Sequence, residues 1–127
     1  MKSNIIMTTS SLSLGAVALC LTFLPQEIAS SLEFASTHVI FLQIIGGLYF
    51  GFAMLNWMTK ENLMGGIYGR PVIVANMSHF LIVGLALVKL AFRNSDQTSL
   101  WVVSIAYISF AAAFMYLFLN NPKFKES

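Results

Sequence analysis

Four runs of about 20 mainly apolar residues, separated by short connections, constrain this chain more than any other feature of its sequence. They extend roughly from Ile5 to Leu24, Thr37 to Met58, Pro71 to Phe92 and Leu100 to Leu119. Each matches the ~20 residues with which an α-helix crosses the hydrocarbon core of a bilayer. Each is also too long for a typical strand. An open sheet edge in lipid would leave its backbone N–H and C=O groups without partners, at several kcal/mol apiece. Composition agrees: 57% of the 127 residues are hydrophobic and 9% charged, where soluble domains have about 45–50% and about 25%. A soluble globular enzyme and a disordered tail are thereby excluded. The net charge of +2 is too small for phosphate-backbone binding, so no nucleic-acid partner is expected. The expected fold is an all-α membrane protein, a single four-transmembrane-helix bundle.

The breaks between the runs carry turn and polar signals: Pro25-Gln26-Glu27, then Thr59 to Arg70 with Gly65, Gly66 and Gly69, then Arg93 to Ser99. The first run lacks the marks of a cleaved signal. Its basic flank is Lys2 alone, no clean Ala-x-Ala site follows, and Leu19 rather than a small residue precedes the single cysteine, Cys20. It is expected to be retained as a span. An even number of spans puts both termini on one side. Assigning Lys2, Lys60, Arg70, Lys123 and Lys125 to the cytoplasm leaves only Lys89 and Arg93 outside, in keeping with the positive-inside rule. Short loops and an uncleaved first span point to a bacterial inner membrane. Two connections hold more than a linker. In Gln26–Ser36, Ile28, Leu32 and Ala35 recur at spacings of four and three, which predicts a short interfacial helix on the outer face. The glycine-rich turn before Pro71 predicts proline at the first helical position of the third span.

Lipid tails are as apolar as leucine, so close association of membrane helices relies on small residues that let backbones approach. The second span has Gly46 and Gly47, with Gly51 completing a GxxxG step, and the first span has Ser11 and Gly15 at the same spacing. Ser104, Tyr107 and Ala111 line one face of the fourth. These stripes either close the bundle internally or join protomers.

All five acids, Glu27, Glu33, Glu61, Asp96 and Glu126, fall outside the spans. A proton-coupled exporter working through a membrane-embedded glutamate is therefore not expected. The polar residues inside the spans are few. Asn76 and His79 are three apart on one face of the third span, and burying them without partners would be costly in hydrocarbon. They are expected to face the bundle interior. There they either form a polar site for a lipophilic ligand, with Gln43 and Tyr107 as further contacts, or make an interhelical hydrogen bond to one of those two residues. Arg70, just ahead of the third span, is a candidate phospholipid-headgroup contact; its plainer reading is a positive-inside residue beside a flexible turn. Trp57 and Trp101 are placed as interfacial anchors. Glu33 and His38 alone make no metal site. No nucleotide-binding loop, Ser/His/Asp set, CxxC pair or HExxH occurs, so no catalytic residue, metal or cofactor is expected.

The second span reads QIIGGLYFGFAMLNWM from Gln43 to Met58 and is followed by a glycine turn and two further apolar spans. In this pattern, and in the number and length of its spans, the chain resembles small bacterial four-helix membrane proteins of the DoxX-like kind. That resemblance implies a four-helix membrane fold. The grouping has no common activity, so it implies no catalytic residue. The function expected from the sequence is a non-enzymatic membrane protein, either an accessory subunit of a larger complex or a self-associating scaffold among membrane lipids. The alternative is binding or transport of a lipid or quinone-like molecule at the intrabundle polar site.

Overall fold

The computed structural model describes residues 2–31, 38–63 and 67–120. Leu32, Glu33 and Ala35, the Gly65-Gly66 pair, and Lys123 and Lys125 lie outside them. Each long apolar run becomes a helix, the state that satisfies its backbone within its own segment. The order is α1 (Lys2–Phe23), α2 (Pro25–Ser31), α3 (Val39–Thr59), α4 (Gly69–Arg93) and α5 (Thr98–Leu119). No strand occurs among the described residues. α1, α3, α4 and α5 have 22, 21, 25 and 22 residues and are long and apolar enough to cross a membrane. At 1.5 Å per residue they measure roughly 31–38 Å, against ~30 Å of hydrocarbon. Large apolar side chains such as Ile5, Leu48, Ile82 and Ile105 are exposed on all four, as befits helices that are hydrophobic all round.

By its internal contacts the chain forms two compact units, Met7–Lys60 and Glu61–Ser127 with Met1–Ile6. In the first unit α1 and α3 run antiparallel. Ser11 and Ala53 meet near one end, and Ala18 and Gly46 near the other. Leu14, Ala18, Leu42, Ala53 and Met7 are buried. Small residues set the spacing. A Cβ built on Gly46 would lie 2.7 Å from Thr22 Oγ1 and 3.1 Å from Leu21 Cβ, and one built on Gly15 would lie 3.8 Å from Ala53 Cβ. Gly47 and Gly51 differ: a Cβ on either meets no described atom within 4 Å. The GxxxG step therefore makes no close approach within the described chain; the tight glycine of α3 is Gly46.

α2 follows α1 after a single break at Leu24. The hydrogen-bond ladder carries across it, Leu24 N–H to the Cys20 carbonyl at 2.9 Å and Ile28 N–H to the Leu24 carbonyl at 3.1 Å. Pro25, with no N–H to offer, sits in the first turn where none is needed. The face that α2 buries is Pro25 and Ala29, with Ile28 only half-buried. The expected apolar stripe ran through Ile28 instead, and its continuation at Leu32 and Ala35 falls outside the described residues.

In the second unit a four-residue connection, Asn94 to Gln97, joins α4 to α5. It is closed by Asn94 N–H to the Leu90 carbonyl at 3.0 Å and Gln97 N–H to the Asn94 carbonyl at 3.1 Å. So short a link makes the helices antiparallel neighbours. Gly84 lets α5 come close, since a Cβ there would stand 2.9 Å from Ile108 Cδ1. At the turn end Trp101 meets Phe92 edge-on at 5.1 Å and donates its indole N–H to the Ser95 carbonyl at 3.3 Å. Pro71 is the third residue of α4, not the first; the helix opens at Gly69. Glycine is required there because any Cβ would collide with the Leu63 carbonyl oxygen.

Candidate functional site

The α4–α5 unit gathers most of the polar residues that the sequence singles out. Asn76 is fully buried, and its side-chain amide donates to the Val72 carbonyl one turn back at 2.9 Å. His79, one turn further along α4, is half-buried. Its ring stands edge-on to Phe80 at 5.1 Å and tilted against Tyr107 at 6.0 Å. Phe80 in turn packs on three rings of α5, Tyr107, Phe110 and Phe114, at 5.4, 4.9 and 5.6 Å. Those three recur at spacings of three and four, so they form one helical face. Phe80 and Phe114 are shut off from solvent. The cluster is an aromatic column with an imidazole at its edge. It brings His79 and Tyr107 together, with Asn76 one turn away. Gln43 is an exposed residue of α3, in the other unit. Arg70 is half-buried in the first turn of α4, beside the tight Gly69.

The α1–α3 unit holds a second polar arrangement. Asn56 is fully buried, and its Nδ2 donates to Ser10 Oγ at 3.1 Å. Ser10 Oγ donates to the Met7 carbonyl at 2.9 Å. One residue on, Ser11 Oγ donates to the Ala53 carbonyl at 2.6 Å. From sequence, Asn56 shares a face with Tyr49 near a membrane boundary and has no assigned partner. The available signal was the hydroxyl-rich first half of span one: a buried amide in an apolar helix needs a partner, and serines are what α1 offers.

Beside this seam lies an open groove of about 540 Å³ along α1 and α3. Gly15, Ala16 and Ala53 leave the recess, and Leu19, Phe50 and Met54 flank it. Trp57 stands at one end, with Lys60 Nζ 3.4 Å above the centroid of its ring. The lining is apolar apart from Ser11, whose hydroxyl already donates to the Ala53 carbonyl. Such a surface can hold a lipophilic chain or a helix, and it presents no acid–base pair.

No group of three or more His, Cys, Asp or Glu side chains gathers among the described residues. His38 stacks on Phe41 at 6.1 Å, and Glu33 lies outside those residues. Compared with protein-family models, with curated proteins and with solved structures, the chain matches none.

Proposed function

We propose that the protein is an integral membrane protein that crosses the bilayer four times as a helix bundle, with both termini in the cytoplasm, and acts as a non-enzymatic accessory or self-associating scaffold subunit. A bacterial inner membrane is the proposed location. One observation carries the self-association: Gly47 and Gly51 are exposed on α3, and a Cβ on either meets no described atom within 4 Å. Small residues on a lipid-facing surface are the means by which membrane helices of separate chains approach closely. Two further features support a role without chemistry. The amides of Asn56 and Asn76 donate within the fold, to Ser10 and Val72, and the rings around His79 pack as a helix–helix contact.

The test uses Gly47→Leu and Gly51→Leu, alone and together. No described atom crowds either position, so the variants keep the helix content of the wild type and unfold at or above its midpoint. The mass in a gentle detergent is read by light scattering. An oligomer in wild type that falls to monomer in the double variant supports the proposal. A wild type that is monomeric and carries no co-purifying membrane partner overturns it.

A further inference from the structure

We propose that the groove between α1 and α3 is a lipid site that takes one acyl chain of an anionic phospholipid, with the headgroup phosphate held at Lys60 beside Trp57. The inference rests on the chain spanning a bilayer, as proposed above, and is independent of self-association through Gly47 and Gly51.

Three observations select this occupant. The first is the lining. Gly15, Ala16 and Ala53 form a floor without bulk between the side chains of Leu19, Phe50 and Met54, and the one hydroxyl at the wall, on Ser11, donates to the Ala53 carbonyl at 2.6 Å. Nothing in the groove asks for a polar ligand, and its volume of about 540 Å³ is that of a small-molecule site.

The second is its length. The lining extends from Ser11 to Leu19 on α1 and from Phe50 to Trp57 on α3, a rise of roughly 10–12 Å. One leaflet offers ~15 Å of hydrocarbon, half of the ~30 Å core. A partner helix lying along α1 and α3 would call for a seam through both leaflets. A chain from a lipid of one leaflet calls for a recess that begins at the headgroup level and stops near the midplane.

The third is charge. Trp57 closes one end of the groove, and tryptophan is the residue that sits at headgroup depth. Lys60 Nζ is held 3.4 Å above that ring by a cation–π contact, which stations a positive charge at the mouth rather than letting it wander in water. A basic side chain at that depth attracts anionic headgroups. A zwitterionic lipid would gain the same groove but less from Lys60.

Tryptophan fluorescence tests this directly. Trp101→Phe leaves Trp57 as the single tryptophan of the two in the chain. The full-length variant is reconstituted in vesicles that mix phosphatidylcholine with phosphatidylglycerol, one or the other brominated near the top of its acyl chains. Bromine quenches a ring that it touches. The expected result is an apparent affinity for phosphatidylglycerol about fivefold above that for phosphatidylcholine, the scale of one lysine near an anionic surface. Lys60→Gln brings that ratio to about one while quenching by both lipids persists. Ala16→Phe, which grows into the groove from an exposed position, weakens quenching by both. Equal quenching by the two lipids, unchanged in Lys60→Gln, overturns the proposal in favour of ordinary surrounding lipid. A Trp57 shielded from both lipids also overturns it and puts a protein in the groove. Retention in carbonate-washed membranes reports separately on the bilayer reading: a chain that washes off refutes that reading, whereas a retained chain with no lipid preference refutes the site alone.

Discussion

Gly46 and Gly47 are adjacent in α3, and alanine at the two positions should act in opposite directions. A Cβ on Gly46 falls 2.7 Å from Thr22 Oγ1, 3.1 Å from Leu21 Cβ and 3.3 Å from the Ala18 carbonyl oxygen. The threonine hydroxyl can rotate away. The other two atoms are fixed to the α1 backbone, so α1 has to retreat by some tenths of an ångström along a packed seam. Overpacking of this kind costs about 1–3 kcal/mol. At Gly47 a Cβ meets no described atom within 4 Å, and the substitution brings only the gain of replacing glycine in a helix, up to about 1 kcal/mol. That gain is common to both variants. The difference between them therefore isolates the steric cost and should be about 1–3 kcal/mol.

The assay is reversible unfolding in mixed micelles, followed by helicity as the denaturing detergent is raised, at a dilution where chains are separate. Gly46→Ala should unfold earlier than Gly47→Ala, and Gly47→Ala at or above the wild-type midpoint. Leucine should widen the gap, because the longer side chain meets α1 at one position and open surface at the other. Equal midpoints for the two alanine variants, or a less stable Gly47→Ala, would refute the assigned rotation of α3 about its own axis. Such a result would also remove the ground for using Gly47→Leu as a fold-neutral probe of association.

Two further outcomes are expected from the same unfolding measurement. Phe80→Ala removes the ring that contacts Tyr107, Phe110 and Phe114 and should cost about 3–5 kcal/mol, whereas Phe92→Ala, at an exposed ring, should cost far less; similar losses would mean that the aromatic column does not hold α4 on α5. Asn56→Ala and Ser10→Ala should each destabilise, and a double-mutant cycle between them should return a coupling of about 0.6–1.7 kcal/mol. Additive effects would break the assignment of the 3.1 Å hydrogen bond.

The existence and extent of the four long helices were legible because the requirement behind them is one-dimensional: about 20 mainly apolar residues, bounded by polar turns. Their observed ends lie within three residues of the expected ones, at Lys2 rather than Ile5 and at Gly69 rather than Pro71. For His79 the sequence left Tyr107 and Gln43 as alternative neighbours; the ring contact at 6.0 Å is with Tyr107, and Gln43 is exposed on α3. The rotation of each helix about its axis was not read from small-residue spacing. A GxxxG step says that Gly47 and Gly51 lie on one face; it does not say whether that face meets another helix of the same chain.

A stronger determinant was present in the same span. The side-chain amide of Asn56 is costly to bury without a partner, and it is fully buried against Ser10. At 100° per residue, Ala53 lies about 60° and Gly46 about 80° from Asn56 around the helix. Both are buried with it. Gly47 lies about 180° away, Gly51 about 140°, and Gln43 about 140° in the other sense; all three are exposed. Once the amide is required to face inward, the tight glycine, the open glycine pair and the outward glutamine follow together. The buried Asn56 therefore marks the inward side of α3, and the glycines fall where that rotation leaves them. Gly46 becomes a contact inside the unit, and Gly47 and Gly51 lie on its exposed side.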